Sequence, residues 1–149
     1  MSLAVDVSSD GVRIPLSKAA VAAIARATLR AERIARARLS VTFVSARTIA
    51  GLNARWLGHR GPTDVIAFQL PDARRGAPLA GEVYIAPEVA RENARAVGSG
   101  TREEVARLVV HGTLHVVGHD HPAGDARTRS RMWRRQEELV ARTAREWRR

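Results

Sequence analysis

The chain reads as an α+β domain: a small mixed β-sheet with helices packed mainly on one face. Three observations predict this. The strand-like segments fall in the first half of the chain, and the strongest helical patterns fall in the second half. The 149 residues lack any Ser/Gly/Pro stretch long enough to divide them, so residues 1–149 form one domain. An apolar fraction of 45% is enough to fill an ordinary core.

The elements follow in order. Leu3, Val5 and Val7 alternate at period two and mark a strand over Leu3–Val7. Val21, Ile24, Ala25 and Leu29 recur at helical spacing, predicting an amphipathic helix from about Pro15 to Ile34, with Thr28 on the same stripe. Leu39–Val44 is β-branched and strand-like, and Ser45 is placed to cap a helix running to about Leu57. After a loop, GHRGP, a buried strand covers Thr63–Leu70. The turn-rich PDARRGAPLAG is an exposed connection, and Glu82–Ala86 is the last strand. Pro87 opens a helix to about Val97, which GSG stops. Thr101 and Glu104 have the S/T-x-x-E spacing of a capping box, and the helix they start has the stripe Val105, Leu108, Val109, Gly112, Val116. Gly118 is its natural stop, and an Arg-rich helix fills about Asp125–Arg145.

Composition narrows the function. There is no cysteine, which excludes disulfides and Cys-based metal sites. The N-terminus lacks a signal-peptide pattern, and AAVAAIARA is too short and too charged to span a bilayer. A cytoplasmic protein without membrane contact is expected. Lys and Arg number 25 against 15 acidic residues, a net charge of +10, and Lys18 is the only lysine. Arginine's planar fork suits phosphate, so a polyanion such as nucleic acid is the expected partner. From Arg127 to Arg149 nine arginines face only Glu137, Glu138 and Glu146.

Four of the five histidines lie in HGTLHVVGHDH, residues 111–121. His111 and His115 are four apart and rise on one helix face, where two imidazoles can hold one ion. If the helix continued, His119 would lie about 12 Å along the axis from His111, too far to share it. A bend at Gly118 instead brings His121 back, and H-x3-H-x5-H is the more convincing triad. His119 then reads as a wall or solvent-facing residue, with a smaller share as ligand or proton carrier, and His59 as exposed.

Three neutral ligands leave a fourth zinc position for water, which metal binding can turn into a nucleophile. The spacing H-x-x-x-H-x-x-G-x-x-H is that of metzincin proteases, but Gly112 stands where these keep the glutamate that activates water. A peptidase is thereby disfavoured and a phosphodiester favoured, with Gly112 expected to leave open backbone space beside the metal. Asp120 and His119 are the nearest side chains that could act as base, although a turn-capping or supporting role is the favoured one for Asp120.

HGTLHVVGHDH also resembles the HGxLHLxGYDH signature of the YbeY family of bacterial endoribonucleases. LNARWLGHRGPTDVIAF at Leu52–Phe68 is similar to the family's LN..YR....TDVLSF, and GEVYIAPEVARENA at Gly81–Ala94 to its GDIxIxxexxxxxA. Met132 stands where the family often has methionine, and the likeness runs from about residue 40 to 140. The resemblance implies a zincin-like metallohydrolase with one Zn2+ per chain on His111, His115 and His121. It implies cleavage of single-stranded RNA, 16S rRNA 3′-end maturation and ribosome quality control. The partners it implies are rRNA, the small ribosomal subunit, one of its proteins and the GTPase Era. This sequence departs from the family at Leu57 (arginine), Ala67 (serine), Glu82 (aspartate) and His119 (tyrosine). Since leucine cannot bind phosphate, Arg60 is expected to reach the space of the missing arginine, with Arg55, about 200° around the helix from position 57, a poorer substitute. The other reading of these residues is a ribosome-assembly factor whose zinc is mainly structural.

Overall fold

The computed structural model describes residues 2–71, 76–119 and 130–148. Asp120, His121, Arg127, Arg129 and Arg149 lie outside them, as does the start of the expected last helix. Strand β1 covers Ser2–Ser9 and β2 Arg36–Phe43, and the two are parallel, joined by helix α1, Lys18–Ala31. In β2, Ala37, Leu39, Val41 and Phe43 are buried while the residues between them face outward, the period-two pattern of a sheet with one covered face. Ser17 caps α1 by accepting from Ala20 N at 3.0 Å, so the helix begins at Lys18 rather than Pro15. It ends at Ala31, three residues before the expected Ile34. Arg33 turns left-handed (φ 61°), and Ile34 N donates back to Leu29 O at 3.0 Å.

Ser45 caps α2, Ala46–Leu52, by accepting from Thr48 N. The helix expected to reach Leu57 instead widens into a π-helical turn over Asn53–Leu57. Asn53, buried within it, donates from Nδ2 to Gly61 O at 3.0 Å and ties down the following loop. Strand β3 spans Val65–Leu70, and β4 begins at Leu79, earlier than the expected Glu82, because Leu70 pairs with Ala80. The sheet order is β1-β2-β4-β3, with only β3 antiparallel.

Helix α4, Thr101–Val117, lies with α1 on one face of this sheet, and α3, Pro87–Val97, packs beside α4. Helix α2 covers only the β3–β4 end of the opposite face, through Ile49 against Ile66 and Ala86. Two glycines permit the close helix–sheet approach. A Cβ on Gly81 would meet Val116 Cγ1 at 2.3 Å, and one on Gly112 would meet Val83 Cγ1 at 2.5 Å.

The expected capping box is not formed: Gly100 is the N-cap of α4, and Glu104 turns to Arg107 instead. Glu103 and Glu104 still favour this helix start through the macrodipole. Helix α5, Arg131–Arg142, is capped by Ser130 and stops short of the expected Arg145. Thr143 bonds back to Leu139 O at 2.8 Å, and a short α6, Ala144–Trp147, swings Trp147 inward so that its indole donates to Val140 O at 3.0 Å. Among the described residues no helix is long and apolar enough to cross a membrane.

Candidate active cleft on the histidine helix

Helix α4 is buried along most of its length, so its histidines are held by a rigid element. His111 and His115 share one face, half-buried, with ring centroids 4.7 Å apart. Beyond them the helix ends in a Schellman motif. His119 N donates to Leu114 O at 2.9 Å and Gly118 N to His115 O at 3.0 Å, with Gly118 at φ 121°. The stop expected at Gly118 is therefore where the chain leaves the helix. His121 and Asp120 follow it, outside the described residues.

A second helix orients His111. Gln136 of α5 is 2% exposed, and its Oε1 lies 2.6 Å from His111 Nδ1. Its amide nitrogen donates to Glu137 Oε2 at 3.0 Å. Burial pushes the Glu137 carboxyl upward, but hydrogen bonds from Arg107 and Gln136 outweigh this and hold it below the usual range, so it is ionised and can only accept. That fixes the Gln136 amide with its oxygen toward His111, and His111 must donate from Nδ1. Nε2 is then the ring's electron-pair donor, the arrangement that metal-binding histidines use. His111 so held meets Gln136 through Nδ1 and not Nε2, and His115 stands beside it on the same helix face. Among the described residues no third His, Cys, Asp or Glu joins them.

Beside His111 opens a cleft of about 520 Å³. Its lining combines the apolar Val97, Leu108, Met132 and Trp133 with the polar Asp64, Asn93 and Glu104. Asp64 accepts from Asn93 Nδ2 at 3.1 Å. The one arginine among the described lining residues is Arg107, and carboxylates surround it. Its guanidinium meets Glu137 at 2.8 Å, Glu104 at 2.9 Å and Glu103 at 3.0 Å, which stabilises its charge further. Burial raises the Glu104 carboxyl, Arg107 pulls it back, and Asp64 and Glu137 push it up again. The described lining is therefore acidic and apolar.

The other expected site residues fall elsewhere. Arg55 and Arg60 are exposed on the π-helical turn and its loop, outside the described lining of the cleft, and Leu57 is exposed beside them. His59 is exposed, as expected. His119 is tied through Nε2 to Glu32 at the end of α1, and Arg135 donates to the same carboxylate at 2.8 Å. Gly112 does not open space for a phosphodiester: it faces the sheet, and Val83 fills the volume where a side chain would begin. The residues missed from sequence are Gln136 and the Arg107 cluster. Gln136 does leave one signal, as a polar residue on the buried stripe Met132, Gln136, Leu139, Val140 of α5.

The profile of the family described as Endoribonuclease YbeY matches residues 6–144. An Endoribonuclease YbeY from Thermobifida fusca is 35% identical over 147 residues, covering 93% of each chain. One from Beutenbergia cavernae is 38% identical over 120 residues, covering 75% of this chain and 80% of its own. A solution structure from Thermotoga maritima superimposes with a TM-score of 0.64 at 26% identity, covering 97% of this chain and 91% of that one. With the profile spanning nearly the whole chain and the histidine helix in place, the chain belongs to the YbeY endoribonuclease family.

Proposed function

We propose that the chain is a zinc-dependent endoribonuclease that cuts single-stranded RNA and acts in 16S rRNA 3′-end maturation and ribosome quality control. The observation that carries this reading is the His111–His115 pair, with His111 locked by Gln136 at the edge of a cleft, in a member of this family. His111, His115 and His121 would hold the metal. When bound, zinc would supply Lewis acidity toward the scissile phosphodiester.

The chain's own residues set what surrounds that point. Gln136 holds the His111 ring in one tautomer, and Glu137 with Arg107 holds Gln136. Trp133, Met132 and Leu108 offer an apolar wall that a nucleobase can cover more readily than a phosphate. The RNA backbone is left to exposed arginines outside the described lining, Arg60 and Arg55 among them. His119 takes a structural position against Glu32, which leaves Asp120 as the motif's candidate proton acceptor. The proposed partners are rRNA, the small ribosomal subunit with one of its proteins, and the GTPase Era, in the cytoplasm.

The test is cleavage of an unstructured RNA and its duplex by purified protein, with and without a chelator. Single strands should be cut, chelation should stop the reaction, zinc should restore it, and His111→Ala should be inactive. Undiminished cleavage after chelation would overturn the metal-dependent reading. Metal binding without any cleavage would favour an assembly role.

A further inference from the structure

The π-helical turn displays an aromatic side chain that the fold does not bury. Trp56 is 62% exposed, and Leu57 beside it is 45% exposed. Phe68 of β3 meets the Trp56 ring edge-on, with centroids 6.3 Å apart, and Tyr84 of β4 continues the row 6.5 Å beyond Phe68. Trp56 and Leu57 with Phe68 and Tyr84 beside them form a contiguous apolar and aromatic patch, and such a patch marks a contact surface where a lone exposed side chain does not.

The charge around it says what kind. From Ala46 to Thr63 the chain carries Arg47, Arg55 and Arg60 and no acidic residue. None of these arginines forms an ion pair among the described residues, in contrast to Arg107, which meets three carboxylates in the cleft. An exposed indole amid unpaired arginines is the combination that binds single-stranded nucleic acid, the ring stacking on a base and the guanidinium groups meeting phosphates. The π-helical turn adds a backbone cause. Asn53 anchors it to Gly61, so the indole is presented on a tethered segment.

The place also fits. Strand β3 is an edge of the sheet and carries Val65 on its cleft face and Phe68, three residues or roughly 10 Å further along, on the opposite face under Trp56. A strand of RNA that passes His111 and turns around this sheet edge would meet Trp56 on the other side. Resting on the endoribonuclease reading above, we infer that Trp56 is a stacking platform for one unpaired base of the RNA substrate, with Arg55 and Arg60 holding the flanking phosphates. Trp56 is thus a positioning residue, separate from the histidine site.

The test measures binding of a labelled single-stranded oligoribonucleotide by fluorescence anisotropy, with cleavage of the same RNA followed in parallel. A second strand has the same phosphodiester backbone without bases. Trp56→Ala should weaken binding of the normal strand about ten- to a hundredfold, and Trp56→Phe should restore most of it. KM should rise with kcat little changed. On the strand without bases Trp56→Ala should bind like the parent, and the ratio between parent and variant should persist at high salt while Arg60→Ala loses its effect there. Equal affinity of parent and Trp56→Ala for the normal strand, from a parent that cleaves it, would overturn the platform alone. So would a Trp56→Ala effect confined to self-association, which would make this face a contact between copies of the chain. A parent that neither binds nor cleaves the RNA would overturn the endoribonuclease reading and the platform together.

Discussion

Gly112 sits between the two histidines in the sequence of α4 and faces the sheet, so adding one methyl group there tests the packing beneath the site. In Gly112→Ala the new Cβ would lie 2.5 Å from Val83 Cγ1, 3.2 Å from Val83 Cγ2 and 3.4 Å from Val65 Cγ2. The first contact is roughly an ångström inside ordinary van der Waals distance. Val83 is fully buried and β-branched in the middle of β4, so its χ1 cannot swing aside cheaply. Overpacking of this kind costs about 1–3 kcal/mol. Replacing glycine by alanine inside a helix returns about 1 kcal/mol. The net expectation is a loss of about 1 kcal/mol, or a fall in Tm of about 2–4 °C for a domain of this size. Urea and thermal unfolding of Gly112→Ala, Val83→Ala and the double variant measure it. Val83→Ala alone should be destabilising, but in its background Gly112→Ala should become stabilising by about 1 kcal/mol, because the clash is gone and the helix gain remains. A Gly112→Ala protein that is more stable than the parent, or a pair that shows no coupling, would refute the assignment of this glycine to helix–sheet contact. Glutamate, the residue that metzincin proteases carry here, would meet the same clash.

Two further outcomes follow from the hydrogen bonds. Gln136→Ala should lower zinc affinity about 10–100-fold in a competition assay while leaving His115 in place, because His111 loses the acceptor that sets its tautomer; unchanged affinity would show that Gln136 does not act through the metal. Glu32, pushed up by burial but held below its ordinary 4.5 by hydrogen bonds from Arg135 and His119, contributes stability that is present above that value and lost as pH falls through the lower folded-state value. Glu32→Gln should therefore be about 1.5–3 kcal/mol less stable than the parent at pH 7, with the gap closing in acid below the carboxylate range, and a gap that stays constant with pH would assign it to packing instead.

What the sequence determined by itself is local. His111 and His115 share a face because four residues make just over one helical turn, whatever packs around them. Gly118 stops α4 because a left-handed residue there closes the Schellman bonds at low steric cost. Strand β2 was legible because Leu39–Val44 is β-branched, and β1 because Leu3, Val5 and Val7 alternate. The tertiary structure decided everything that joins residues distant along the chain. Gln136 reaches His111 across 25 positions, Glu137 meets Arg107 across 30, and Glu32 meets His119 across 87. No spacing rule connects these pairs, since they meet only because α4, α5 and the end of α1 pack together. The same packing turned Gly112 from an expected opening into a contact with Val83, and enclosed Arg107 among carboxylates while Arg60 stayed at the surface. Periodicity and capping follow from short-range covalent geometry, whereas a cleft's shape and charge follow from which faces the core brings together.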